Sequence, residues 1–239
     1  MKKITLVFLG LMMGVSIFMP QLAPTAMAEI DSIGEVKDAG ILPSSPFYFL
    51  KSWWRSTQLF FTSDPLKEAQ LLLNFTNEDA LAIKKLAEQK QWKILNRFMN
   101  SYQNRVREIN KKMEKASQEN RDTNYLTKSF GEDILKHQKI LSEIYIQAPD
   151  ETKQELESAI ATSRGNVKQA LEKAVGPQSS LEFEQQSNEA IKNMGEDVRL
   201  KIQEQSQNEG QRSDKTIDNT QNNSPGCPAC DDSSGNSNK

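Results

Sequence analysis

"DPLKEAQLLLNFTNEDALAIKKLA", residues 64–87, is the stretch that decides the fold. Asp64 stands where a helix N-cap belongs. Pro65 follows at the first helical position, where a missing N–H costs nothing. Behind them Leu66, Ala69, Leu73, Thr76, Ala80, Ile83 and Ala87 recur at alternating steps of three and four. That is a heptad seam, and Leu72 and Leu86 beside it broaden the stripe. A stripe of this width is buried only by packing on other helices.

The same alternation continues downstream. After a polar junction at Gln89-Lys90-Gln91, the residues Trp92, Leu95, Met99, Tyr102, Val106, Ile109, Met113 and Ala116 predict a third helix, ended by the polar run from Gln118 to Asn124. A fourth is predicted from about Tyr125 to Gln147 on Phe130, Ile134, His137, Leu141 and Ile144. Ala148-Pro149-Asp150 marks a turn. A fifth covers roughly 150–175 on Leu156, Ile160, Ser163, Val167, Ala170 and Ala174. Gly165 weakens it by about 1 kcal/mol relative to alanine, and Gly176-Pro177 stops it. A weaker sixth, over 180–205, uses Ile191, Met194, Val198 and Ile202 and is interrupted by Gly195. From Ser206 onward almost no apolar residue remains, which predicts disorder to the C-terminus. The expected fold is all-α: an antiparallel multi-helix bundle of coiled-coil-like hairpins over 44–176, with an additional helix over 177–205 and a disordered tail over 206–239.

Upstream of the seam lies "GILPSSPFYFLKSWWRS", residues 40–56. Ser44 or Ser45 as cap, with Pro46 near the first helical position, predicts the start of helix one. Phe47, Leu50, Trp54 and Phe61 fall on or near one face, and Phe49, Trp53 and Phe60 widen it. A helix apolar nearly all round belongs in a core, here across the end or side of the bundle. The alternative is an interface formed by Phe47, Tyr48, Trp53, Trp54 and Phe61, which would touch a partner or a membrane surface. Trp53 and Trp54 cannot both be fully buried on one face, and such residues suit surfaces where one edge stays wet.

The N-terminus reads as a secretory signal peptide. Met1-Lys2-Lys3 precedes an apolar run from Ile4 to Met19, Pro20 breaks it, and Ala26-Met27-Ala28 sets cleavage after Ala28. Residues 29–43 are a polar lead. The apolar run is short for a bilayer span, so membrane contact is expected only transiently, through this segment, and the mature protein is expected to be extracytoplasmic. The net charge is −2 with the two signal lysines and −4 without them. No basic excess is available to neutralise phosphates, which argues against nucleic acid as a partner. The only two cysteines are Cys227 and Cys230, so no disulfide framework holds the helical part together.

Few residues invite chemistry. Cys227-Pro228-Ala229-Cys230 could form a local disulfide, or supply half a zinc site completed by His137 and Asp231 or by a second chain. Thioredoxin-like redox work would need the motif at a helix N-terminus in a βαβ setting. His137 falls on the apolar stripe of helix four, one turn after Asp133. It reads as a buried, hydrogen-bonded histidine, with an Asp–His metal pair as the alternative. The acid pairs Glu78-Asp79, Glu132-Asp133 and Glu196-Asp197 read as solvated helix faces, because adjacent helical residues do not face one another across a cleft. There is no phosphate loop, nucleophile elbow or His-Glu metal helix. No catalytic residue and no cofactor are expected, and the chain does not read as an enzyme.

Asp38 to Lys51, with its Gly-Ile-Leu-Pro, Ser-Pro, aromatic and Leu-Lys elements, resembles the opening of a bacterial exported helical domain family of unknown function. Phe61-Thr62-Ser63-Asp64-Pro65, leading into an Ala- and Leu-rich helix, is similar to a second block of that family. The resemblance spans roughly residues 38–110. It implies an extracytoplasmic helical domain and supplies no reaction and no catalytic residue. The expected function is a non-enzymatic structural or interaction module of a bacterial cell envelope, whose partner is an envelope protein or a second copy. The alternative is a metal- or thiol-dependent sensor or chaperone using Cys227, Cys230 and His137.

Overall fold

A computed structural model describes residues 32–221, with side chains through residue 209. The elements are α1 (Tyr48–Phe60), α2 (Pro65–Glu88), α3 (Trp92–Gln118), α4 (Asn124–Gln147), α5 (Asp150–Ala174), α6 (Pro177–Ala190), a 3₁₀ turn (Lys192–Met194) and α7 (Glu196–Gln221). Among the described residues there is no strand; an isolated bridge between Ile33 and Val36 closes a turn. The fold is an all-α helical bundle.

The ends of α2 follow from local chemistry. Asp64 Oδ1 accepts hydrogen bonds from the Leu66 and Lys67 amides at 2.9 and 3.3 Å. At the other end the chain turns through Lys90, whose φ is +55°. The Gln91 amide reaches back to the Leu86 carbonyl and the Lys90 amide to that of Ala87, a Schellman closure. Asn120, with φ of +59°, closes α3 in the same way, with Arg121 N–H on the Ala116 carbonyl. Neither junction carries the glycine that usually announces this turn.

Four helices form the main bundle, in the cyclic order α2, α3, α5, α4. Consecutive α2/α3, α4/α5 and α5/α6 turn back on one another as antiparallel pairs. The consecutive helices α3 and α4 sit across the bundle from each other instead, which leaves α3 and α5 running parallel. Gln103 meets Ser158 and Asn110 meets Gln169, so the contacts climb together along the two helices. The core gathers Leu73, Ile83, Leu86, Leu95, Met99, Val106, Ile109, Phe130, Ile134, Leu141, Ile144 and Ile160, each essentially inaccessible.

Three expectations are corrected here. First, the one weak helix expected over 177–205 is two helices, α6 and α7, both packed on the bundle, and α7 continues into residues expected to begin the disordered tail. Phe183, Ile191, Met194, Ile202 and Ser206 are buried, and the helix runs on past Ser206 to Gln221. The reason is α5. It is surrounded by α3, α4, α6 and α7, and residues 159–167 are buried without a break. Small side chains make this possible, above all Gly165, where a Cβ would stand 2.5 Å from the Ser206 carbonyl oxygen. Second, α1 begins at Tyr48 rather than at Ser44 or Ser45. Ser45 Oγ accepts from the Phe47 amide at 3.2 Å inside a turn, and Pro46 lies in that turn. Third, the lead before α1 is not merely polar, since Ile33 and Ala39 are both buried. The signal segment and the Cys227–Cys230 motif lie outside the described residues.

Candidate functional site

Between Ile41 and Ser63 the chain has only two charged residues, Lys51 and Arg55, four apart on one face of α1. Both turn inward. Arg55 is the one residue of α1 that is buried, at 6% exposure. Its Nη1 donates to Asp79 Oδ1 at 2.9 Å, and its Nη2 to Glu78 Oε2 at 2.6 Å and the Phe75 carbonyl at 3.3 Å. The guanidinium also lies 4.9 Å from the Phe75 ring centroid. Lys51 Nζ lies 2.8 Å from Glu78 Oε2 and donates to the Ala39 carbonyl. Arg105 of α3 joins Asp79 from the far side. Tyr48 completes the attachment by standing edge-on to Phe98 at 5.9 Å.

The acid pair Glu78-Asp79 is therefore not a solvated face. Asp79 is almost inaccessible, and both carboxylates are used to hold α1. Burial raises the Glu78 carboxyl, but hydrogen bonds from Lys51 and Arg55 outweigh it and hold the group below the usual carboxylate range. Burial lowers the Arg105 guanidinium to about 10, and the nearby charge of Arg55 acts in the same direction.

With its cations inside, α1 shows its aromatics to the outside. Phe60 is 84% exposed, Phe61 79%, Trp53 67%, Phe49 64%, Phe47 61% and Trp54 57%. The expectation of a buried core helix is thus overturned. The polar anchors claim the inner face, and 3.6-residue periodicity puts the rings opposite them. Five of them, with Leu50, form two rows at identical spacing, Phe49–Trp53–Phe60 and Leu50–Trp54–Phe61. Ser56 and Thr57 are the hydroxyls on this side. Each donates to the carbonyl one turn back, Ser52 at 3.0 Å and Trp53 at 2.9 Å, so neither hydroxyl proton needs an outside acceptor. Of the interface residues expected from sequence, Phe47, Trp53, Trp54 and Phe61 stand on this surface, and Tyr48 is turned inward onto Phe98. Phe49, Leu50 and Phe60 join the surface. The signal for the inversion is in the sequence: two lone cations one turn apart on an otherwise uncharged helix, and an acid pair on the next.

Alongside the second row runs a groove of about 580 Å³ between α1, α2 and the lead. Ile41, Leu50, Trp54, Leu71 and Phe75 supply its apolar wall, Gln58 and Asn74 its amides, and Asp38, Lys51, Arg55 and Glu78 its charged lining.

The buried polar centre is elsewhere. Tyr102 on α3, His137 on α4 and Asn77 on α2 are all buried and form one chain of hydrogen bonds. Asn77 Nδ2 donates to Asp133 Oδ2 at 2.7 Å, leaving Asn77 Oδ1 to accept from His137 Nε2 at 3.0 Å. That fixes the tautomer, so Nδ1 accepts the Tyr102 hydroxyl proton at 3.0 Å. Burial lowers the His137 imidazole to about 3, helped by Lys136, and raises the Tyr102 phenol. Both ring nitrogens are thus engaged within the core. Asp133 and His137 do not touch as a metal pair; Asn77 stands between them. Asp133 is also buried rather than solvated. Among the described residues no cluster of three or more His, Cys, Asp or Glu side chains is placed to hold a metal.

The α1 surface and its anchors fall inside a segment that matches a family model. Residues 40–151 match the model of a domain of unknown function, DUF5667. The DUF5667 match starts at Gly40 and runs beyond residue 110 to the first turn of α5. It takes in the aromatic helix, Glu78, Asp79 and Arg105, and leaves out most of α5 together with α6 and α7. No curated protein and no solved structure matches the chain. No helix among the described residues is long and apolar enough to cross a membrane.

Proposed function

We propose that this protein is a non-enzymatic interaction module of a bacterial cell envelope, exported by its N-terminal signal peptide, and that α1 is its docking surface. The observation that carries the reading is the inverted amphipathicity of α1. Two cations, buried Arg55 and half-buried Lys51, are turned inward against Glu78 and Asp79, and six aromatic rings are left in water. Monomeric proteins rarely expose a contiguous apolar patch of more than a few hundred Å² unless it binds something. The polar centre around His137 is closed and satisfied, which suits a rigid support rather than a reaction site.

The test is crosslinking of the exported protein in cells, read by mass spectrometry, for wild type and the Trp53→Ala/Trp54→Ala pair. A discrete adduct in wild type that disappears in the double variant supports the docking surface. Adducts that are unchanged, or none in either protein, would sink it.

A further inference from the structure

We infer that the partner of the α1 surface is a second copy of this chain, in a two-fold dimer that packs α1 against α1. This rests on the docking role of α1 just proposed. Area is the first argument. Each large aromatic covers about 150–250 Å², and six of them stand more than half exposed on this face. The patch therefore offers on the order of 600–900 Å², close to the roughly 800 Å² per partner of a standard stable interface.

Charge is the second. A helix that lies on an anionic bilayer carries lysines and arginines along its flank. Here the two cations of α1 are spent on Glu78 and Asp79, and the whole chain is net acidic. Nothing on this face attracts an anionic lipid. The outer side of residues 41–63 bears no charge, and the groove balances Asp38 and Glu78 with Lys51 and Arg55, so no like-charge excess opposes a second copy.

Shape is the third. The surface carries both a ridge and a recess. The Phe49–Trp53–Phe60 row stands on one flank of α1, and the groove walled by Leu50, Trp54, Leu71 and Phe75 lies along the other. A two-fold axis along α1 sets the ridge of each copy into the groove of the other. Its 580 Å³ lies within the ~300–1,000 Å³ of pockets that enclose a whole small molecule, enough room for aromatic side chains. A self-complementary surface of this kind is what a closed dimer requires.

The test uses the full exported chain, with benzoylphenylalanine replacing Trp53 for photocrosslinking in cells, and sedimentation of wild type and Trp53→Ser/Phe60→Ser between about 1 and 100 µM. The expected result is an adduct of twice the chain mass, joined to the Leu50–Phe75 region of the other copy. Wild type should be a concentration-dependent dimer whose Kd rises by roughly tenfold or more in the double variant. Both substituted residues are outside the core, so the helical signal and its melting should stay near wild type. A wild-type monomer throughout that range overturns the dimer. An adduct to a different protein or to lipid overturns it too, while leaving α1 a docking surface. No adduct of any kind overturns both.

Discussion

His137 is the single histidine of the chain, so its titration can be read without ambiguity. In the unfolded chain it takes up a proton near pH 6.5. In the fold, burial between Tyr102 and Asn77 delays that to about 3. The folded state is the one that refuses the proton. The stabilisation is therefore complete above about pH 6.5 and is lost progressively as pH falls toward 3. Proton NMR of the imidazole should show no titration between pH 8 and 5, and stability should fall by about 2 kcal/mol between pH 7 and 5 from this group. A normal midpoint near 6.5 would mean that the ring is in water. At this scale the sequence was partly legible. His137 on an apolar stripe reads as a buried, bonded histidine, and its partners do not, because Tyr102 and Asn77 come from helices whose relative placement no local pattern states. Glu78-Asp79 was misread as a solvated face for the same reason: the arginine that pairs with both, Arg55, lies more than twenty residues away, on α1.

The helices themselves were the easiest level to read. Caps and heptad steps place α2 to α5 within a few residues, because those signals are local. What periodicity could not show is how many neighbours a helix has. α5 reads as a helix with one apolar stripe and is in fact buried on every side over 159–167, its small residues admitting α7. Gly165 is the point of closest approach. Helix propensity alone favours alanine there by about 1 kcal/mol, yet the added Cβ would meet the Ser206 carbonyl oxygen at 2.5 Å. Gly165→Ala should therefore lower the melting temperature and speed amide exchange along α7 while α2 and α3 stay protected. A stabilised protein with unchanged exchange would mean that α7 does not pack on α5.

At the scale of the molecule, the bundle carries α1 on its side with the aromatic face uncovered. The core closes around α5 and the Tyr102–His137–Asn77 chain, and α1 is fixed to its side by ions and by Tyr48 rather than by its many rings. A sequence read by hydrophobicity alone puts those rings inside, since the same composition serves a core and an interface. The decision between them lies in where the charges of α1 go. Urea unfolding of Trp53→Ala/Trp54→Ala, at about 1 µM protein so that association contributes little, measures this most directly. An outward α1 predicts stability within about 1 kcal/mol of wild type, as for exposed positions generally. A loss of about 3–5 kcal/mol per tryptophan, the cost of truncating a core aromatic, would put these side chains inside and contradict the docking surface.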